Sequence, residues 1–189
     1  MIDKIINEAT GAVTAAIRGT GDIVGAVTGT VKDQVVNVIK DSSEIAGTTV
    51  DAVASVASGS IKAAGDVGSS VTETATGTMS GAVKGASSVS GDVMDAVFGA
   101  AKGVVSGTVD TGGDVGNAAV AAVEGAIKAA GDVGEDAAQA ATAAVGGAMN
   151  AATTVGGDAA ETVRSALVSS AALPRDVVES AIKGSEQKN

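Results

Sequence analysis

Carboxylates are the most numerous ionisable groups in this chain, 22 Asp and Glu against 12 Lys and Arg. They recur on a fixed beat: Asp22, Asp33, Glu44, Asp66, Asp110, Asp132 and Asp176 all fall at multiples of eleven. Regularly spaced carboxylates hold Ca²⁺ in nonapeptide solenoids. Eleven is the wrong period for that device, and Ala is too abundant for strands, so the acidic column reads as a solvated stripe. The run from Thr111 through Gly112, Gly113, Asp114 and Val115 to Gly116 has the glycines of a phosphate-cradling loop. A P-loop also needs a strand–loop–helix setting and a Lys-Ser/Thr pair, and the sequence offers no strand and no such pair here. Histidine and cysteine are both absent. Their loss removes the commonest general base, every Ser-His or Cys-His pairing, thiolate ligands and disulfides. The expectation is a protein with no catalytic residues, no metal and no cofactor, hence not an enzyme, in a compartment that cysteine usage leaves unread.

The charge balance narrows the partners. A net charge of −10 and a pI near 4.3 disfavour nucleic acid, because phosphate neutralisation needs clustered Lys and Arg. They also weaken attraction to strongly anionic lipid. The opening residues, MIDKIINEATG, lack the basic and apolar regions of a secretory signal, so localisation is open, cytoplasmic or membrane-associated by default. The longest uncharged run, from Ala137 to Gly157, is long enough to span a bilayer. It consists mostly of Ala, Gly and Thr, which partition into lipid far less readily than Leu, Ile and Phe, and no span is expected there.

Those side chains must be positioned by something repetitive. The octapeptide IKAAGDVG occurs at Ile61–Gly68 and again at Ile127–Gly134, six elevens further along the chain. Written in rows of eleven from Met1, the first, fifth and sixth columns are each apolar in 14 of 17 rows. Eleven residues over three turns is 3.67 per turn, the signature of a hendecad helix with a weak right-handed supercoil. The apolar seam includes Ile23, Val27, Ile45, Val56, Val67, Val71, Val89, Val93, Val133 and Val155. A doubled period, two elevens long, is superimposed: Gly81, Asp92, Gly103, Asp114, Gly125, Asp136, Gly147 and Asp158 alternate, and so do Gly112, Val123, Gly134, Val145, Gly156 and Leu167. Small beside large at a fixed interval predicts helices that interlock, a bulky residue entering a glycine notch. Ladders at spacing four, Gly21–Gly25–Gly29 and Gly99–Gly103–Gly107, would form flat strips for close approach of another backbone.

The apolar content is 45%, but it is almost all Ala and Val, with Phe98 the one aromatic and Leu only at 167 and 173. Burial stabilises in proportion to apolar area, so a globular core of these residues would be thin. Each helix-interior glycine costs about 1 kcal/mol relative to Ala, and 27 of them cost on the order of 20 kcal/mol. A lone helix of this composition is poorly populated in water and needs partner helices or an apolar interface. The register runs unbroken, which argues against loops at the Gly-Gly pairs. The reading is all-α: one near-straight hendecad helix over 1–172, a short helix over 173–184 begun at Pro174, and a tail over 185–189.

At GAVTGTVKD (Gly25–Asp33) and at Gly99–Val115 the chain resembles other hendecad-repeat proteins. The style is similar to the amphipathic repeats of the perilipins that coat lipid droplets and, more distantly, to late-embryogenesis-abundant proteins. That resemblance covers about residues 10 to 170, rests on period and composition, and implies a lipid-surface helix. The polar face here is narrower than in perilipin-type repeats and the charge less balanced. The reading placed first is therefore a self-assembling homo-oligomer, as a bundle, tube or filament. A protein coating a lipid droplet, granule or membrane is the alternative.

Overall fold

The computed structural model describes residues 2–19, 22–41 and 46–186. They are all-α, but residues 1–172 do not form one helix. The described residues make nine: α1 (Ile2–Arg18), α2 (Ile23–Asp41), α3 (Ala46–Asp66), α4 (Val71–Ser88), α5 (Val93–Asp110), α6 (Val115–Val133), α7 (Ala137–Val155), α8 (Ala159–Ser169) and α9 (Arg175–Glu186). From α4 to α8 each helix starts two elevens after the last. A helix and its turn together fill that interval, so the chain folds back repeatedly without leaving the apolar frame. That is why an unbroken register did not exclude turns.

The turns are encoded locally. Gly68, Gly112, Gly134 and Gly156 all have positive φ, and Ser90, at the same place in the repeat, has φ 54°. A left-handed residue after a helix allows the closing bond characteristic of a glycine C-cap. It is made by Ser69 N–H to Ala64 O, Gly91 to Ala86, Gly113 to Thr108 and Glu135 to Ala130, at 2.8–2.9 Å. Two positions after each left-handed residue stands the next N-cap. Ser70 accepts from Glu73 N–H, Asp92 from Asp95, Asp114 from Asn117, and Asp136 from Ala138 and Gln139. Each cap satisfies donors the first turn leaves orphaned. Asp158 stands at the equivalent place before α8 and makes no such bond.

Every helix packs on its neighbours one and two places along the chain, and on no helix further away among the described residues. Short turns make consecutive helices antiparallel. Helices two apart run parallel, because Gly99, Gly103 and Gly107 of α5 meet Val50, Ala54 and Ser58 of α3 in the same order. The result is a two-layer stack, α1, α3, α5, α7 and α9 in one layer and α2, α4, α6 and α8 in the other. This is the quasi-one-dimensional architecture of a solenoid. The core runs along the stack and is built of Ala and Val, with Ile61, Met79 and Leu167 its largest fully buried side chains. Packing along the stack supplies, within one chain, the partner helices that the glycine content demands.

Candidate functional site

The recurring structural device is a glycine notch on one helix set against a backbone seat on the helix two places earlier. Gly59, Gly81, Gly103, Gly125 and Gly147 stand two elevens apart at the middle of α3 to α7. A methyl group added at Gly59 would lie 2.7 Å from Ile6 O, and at Gly81 2.8 Å from Thr28 O. At Gly103 and Gly147 it would collide with the carbonyls of Ala54 and Phe98, and at Gly125 it would approach Thr76 O and Met79 Cβ. Only residues without a side chain permit this approach. The notch extends one turn each way on α4 (Gly77, Gly85) and α5 (Gly99, Gly107), where an added methyl would again meet the backbone of α2 or α3. Two threonines bridge the seam: Thr10 Oγ1 lies 3.1 Å from Gly59 O, and Thr28 Oγ1 donates to Gly77 O at 3.2 Å. Lys102–Asp51 and Lys62–Asp110 ion pairs, at 3.0 and 2.9 Å, clamp α5 to α3 at its rim. Lys62 thus reaches along its layer to α5.

The seats carry a register shift. The step from Ile6 to Gly59, and from Thr28 to Gly81, is one helical turn longer than the step from Ala54 to Gly103, Thr76 to Gly125 or Phe98 to Gly147. One extra turn of chain is therefore interpolated between the seats of α2 and α3. A full turn restores nearly the same facing, so the apolar columns pass through this stutter with little change, and a tally by elevens shows no insertion.

The anticipated notch residues divide accordingly. Gly81, Gly99, Gly103, Gly107, Gly125 and Gly147 are buried and face another helix of the same chain. Gly29 is exposed with nothing within 4 Å, and Gly25 abuts only the carboxylate of Asp22, to which its N–H donates at 2.9 Å. Gly21 lies outside the described residues. The apolar seam is not a continuous stripe. Val27, Val56 and Val93 are in the core, while Ile23, Val67, Val71 and Val133 pack partly against it near helix ends. Val89 is the half-buried C-cap of α4, Val155 is 46% exposed at the end of α7, and Ile45 lies outside the described residues. Alternation along the second column also has another cause than interlocking. Gly112, Gly134 and Gly156 are turn residues, whereas Val123 and Val145 are buried mid-helix and Leu167 is buried in the last turn of α8. Similarly Asp92, Asp114, Asp136 and Asp158 alternate with notches because they sit at helix starts. The sequence signal for these turns was the triplet of Gly or Ser, any residue, then Asp or Ser, at positions 68–70, 90–92, 112–114, 134–136 and 156–158.

Two surface grooves accompany the stack. One, of about 310 Å³, crosses α2, α4 and α6 between Thr28, Ser80, Lys84, Lys128 and Asp132. The other, of about 570 Å³, lies where α9 meets the start of α7, lined by Met94, Ala138, Thr142, Val177 and Ser180, with Asp136 and Asp176 at its edge. Backbone N–H groups of Gln139 and Ala138 hold the Asp136 carboxyl below its ordinary pKa, whereas partial burial and then the Asp92 charge push Asp95 up. Among the described residues no cluster of three or more acidic side chains is placed to hold a metal ion, and no helix is long and apolar enough to cross a membrane. The uncharged run 137–157 forms α7 and the turn after it, within the stack. Comparison with known protein families and with curated proteins finds no match.

Proposed function

We propose that this protein is a structural, self-associating solenoid whose copies join end to end into longer stacks. The observation that carries the reading is the unfilled face at the start of the stack. On α4 and α5 a notch glycine follows directly on a seat residue, Gly77 after Thr76 and Gly99 after Phe98. The same rule applied to α2 gives Gly25 and Gly29, after the seats Val24 and Thr28. Applied to α1 it gives Asn7, and one and two turns on along the same face, Gly11 and Ala15. Asn7, Gly11, Ala15 and Gly29 are exposed, and a methyl group at Gly11 or Gly29 would touch nothing within 4 Å. Five later helices fill the equivalent face with a neighbour, whereas on α1 and α2 no described helix covers it.

The far end is different in chemistry: α8 and α9 are short and expose Glu161, Arg164, Arg175, Glu179 and Lys183. A polar terminal repeat limits the growth of a solenoid, so joining at this end requires that repeat to give way. Head-to-tail joining is heterologous and gives an open filament unless the rotation closes it. The lipid-coat reading draws no comparable support, since its key residues Val27, Val56 and Val93 are already buried against other helices.

The test is sedimentation velocity on the lipid-free protein across a hundredfold concentration range, alongside Gly29→Leu, with circular dichroism as a check on folding. The expected result is concentration-dependent association in the wild type and its loss in the folded variant. A folded wild type that stays monomeric throughout refutes the reading. Helix gained only when vesicles are added would instead support the lipid surface.

A further inference from the structure

We infer that α9 is a removable end-cap, seated on α7 in the place where helix α1 of a second copy docks. The inference rests on the end-to-end reading above and names the surface that receives the open face.

Continuation of the stack has only one solution by parity. Helices alternate between two layers and two directions, so α1 of an incoming copy must enter the layer of α7 and run parallel to it, with α2 following onto α8. That position is held by α9. The last helix therefore stands where an arriving chain would otherwise fit, and joining requires it to leave.

The fit of α9 is unlike every earlier one. The seat on α7 is defined by the repeat: the residue before Gly147 is Gly146, and one and two turns earlier come Thr142 and Ala138. The corresponding residue of α5, Phe98, and of α3, Ala54, is covered by the notch glycine of the next helix in its layer. Ala138 and Thr142 are instead exposed and line the groove of about 570 Å³. The α9 side of that groove is Val177 and Ser180, side chains that hold the backbones apart where a glycine would let them meet. A methyl group added at Gly184, the sole glycine of α9, would meet nothing within 4 Å. α9 also begins early: Arg175 follows Ala159, the start of α8, by less than the two elevens that separate the preceding helix starts. It comes directly after Pro174 and is anchored by Val178, Ala181 and Ile182. It is thus a short, off-frame helix on a seat shaped for a notched one. The face of α1 bearing Asn7, Gly11 and Ala15 has the missing notch.

Opposite substitutions in the full-length protein test this. Val178→Asp places a charge in the anchor and should free α9. Because apparent affinity scales with the fraction of chains in the competent state, the concentration for half-association should fall by about tenfold or more. Ser180→Leu fills the groove, tightens the cap and should raise that concentration. Adding Gly11→Leu to Val178→Asp should abolish the gain. Sedimentation velocity reads the association, and hydrogen exchange should show α9 unprotected in Val178→Asp while α7 stays protected. Association that is lost with Gly29→Leu yet unmoved by either α9 substitution would overturn the cap and leave end-to-end joining standing. If Val178→Asp unfolds more than α9, Ser180→Leu decides alone, since unchanged or stronger association there contradicts the proposal. Absence of association in every variant would overturn both readings.

Discussion

Gly103→Ala is the most informative single change to the stack. Alanine is favoured over glycine in a helix by about 1 kcal/mol, so where space is open the substitution stabilises. At Gly103 the new methyl would collide with the carbonyl of Ala54 and lie 2.7 Å from Ala57 Cβ. Both obstacles are rigid, one a backbone carbonyl and the other a Cβ, so relief requires α5 to move off α3 over its length. Overpacking of this kind costs about 1–3 kcal/mol, and Gly99 and Gly107 would lose their close approach with it. The expected net loss is about 2 kcal/mol, or roughly 4–8 °C in Tm for a chain of this size. Gly131→Ala is the control. Gly131 is exposed on α6, with nothing within 4 Å, so a gain of up to about 1 kcal/mol, roughly 2–4 °C, is expected. Thermal and urea unfolding followed by circular dichroism measure both. If Gly103→Ala melts at or above the wild-type temperature, α3 and α5 do not meet backbone to backbone.

Ser90 has φ 54° where the equivalent turns place glycine, and a left-handed non-glycine residue costs about 1–2 kcal/mol. Ser90→Gly should therefore raise stability by about 1 kcal/mol, visible as a higher urea midpoint at unchanged m-value; no change would mean that the turn does not hold the serine left-handed. The lowered pKa of Asp136 makes its cap a charge-dependent contribution. A depressed carboxylate contributes stability that is present above its unfolded pKa and is lost as pH falls through the folded one. The advantage of wild type over Asp136→Asn, which keeps a capping side chain, should shrink as pH is lowered through the acidic range. Parallel stability profiles for the two proteins would contradict this.

Much of the fold was legible in composition and period. The helical class, the need for partner helices, and the strip of Gly99, Gly103 and Gly107 all follow from small residues at helical spacing. The number of helices did not, for a specific reason. A turn normally adds residues and breaks the frame, but here the segment from Gly112 to Asp114 falls within two elevens and leaves the apolar columns in step. Taken as helix punctuation, Gly68 to Ser70 and Gly134 to Asp136 mark a stop and a start, with a left-handed residue and then a cap. The octapeptide that exposes the repeat ends at Gly68 in one copy and Gly134 in the other, both left-handed turn residues. The open face of Gly11 and Gly29 was invisible from sequence, because what separates these glycines from Gly81 is that no described helix lies against them.

Packing confined to neighbours one and two helices away also shapes how the chain reaches its structure and leaves it. No described contact between helices joins the two ends of the chain, so no long loop must close before favourable contacts form. Folding can begin at any pair of adjacent units and spread outward in both directions. The best-supported nucleus is the middle, α3 to α7, where each helix packs on two neighbours on either side. Unfolding should reverse this, fraying from α1 and α9 inward, so that amide protection declines from the centre of the stack to its ends. Joining a second copy would convert a fraying end into an interior one, and length itself would slow the chain's loss of structure.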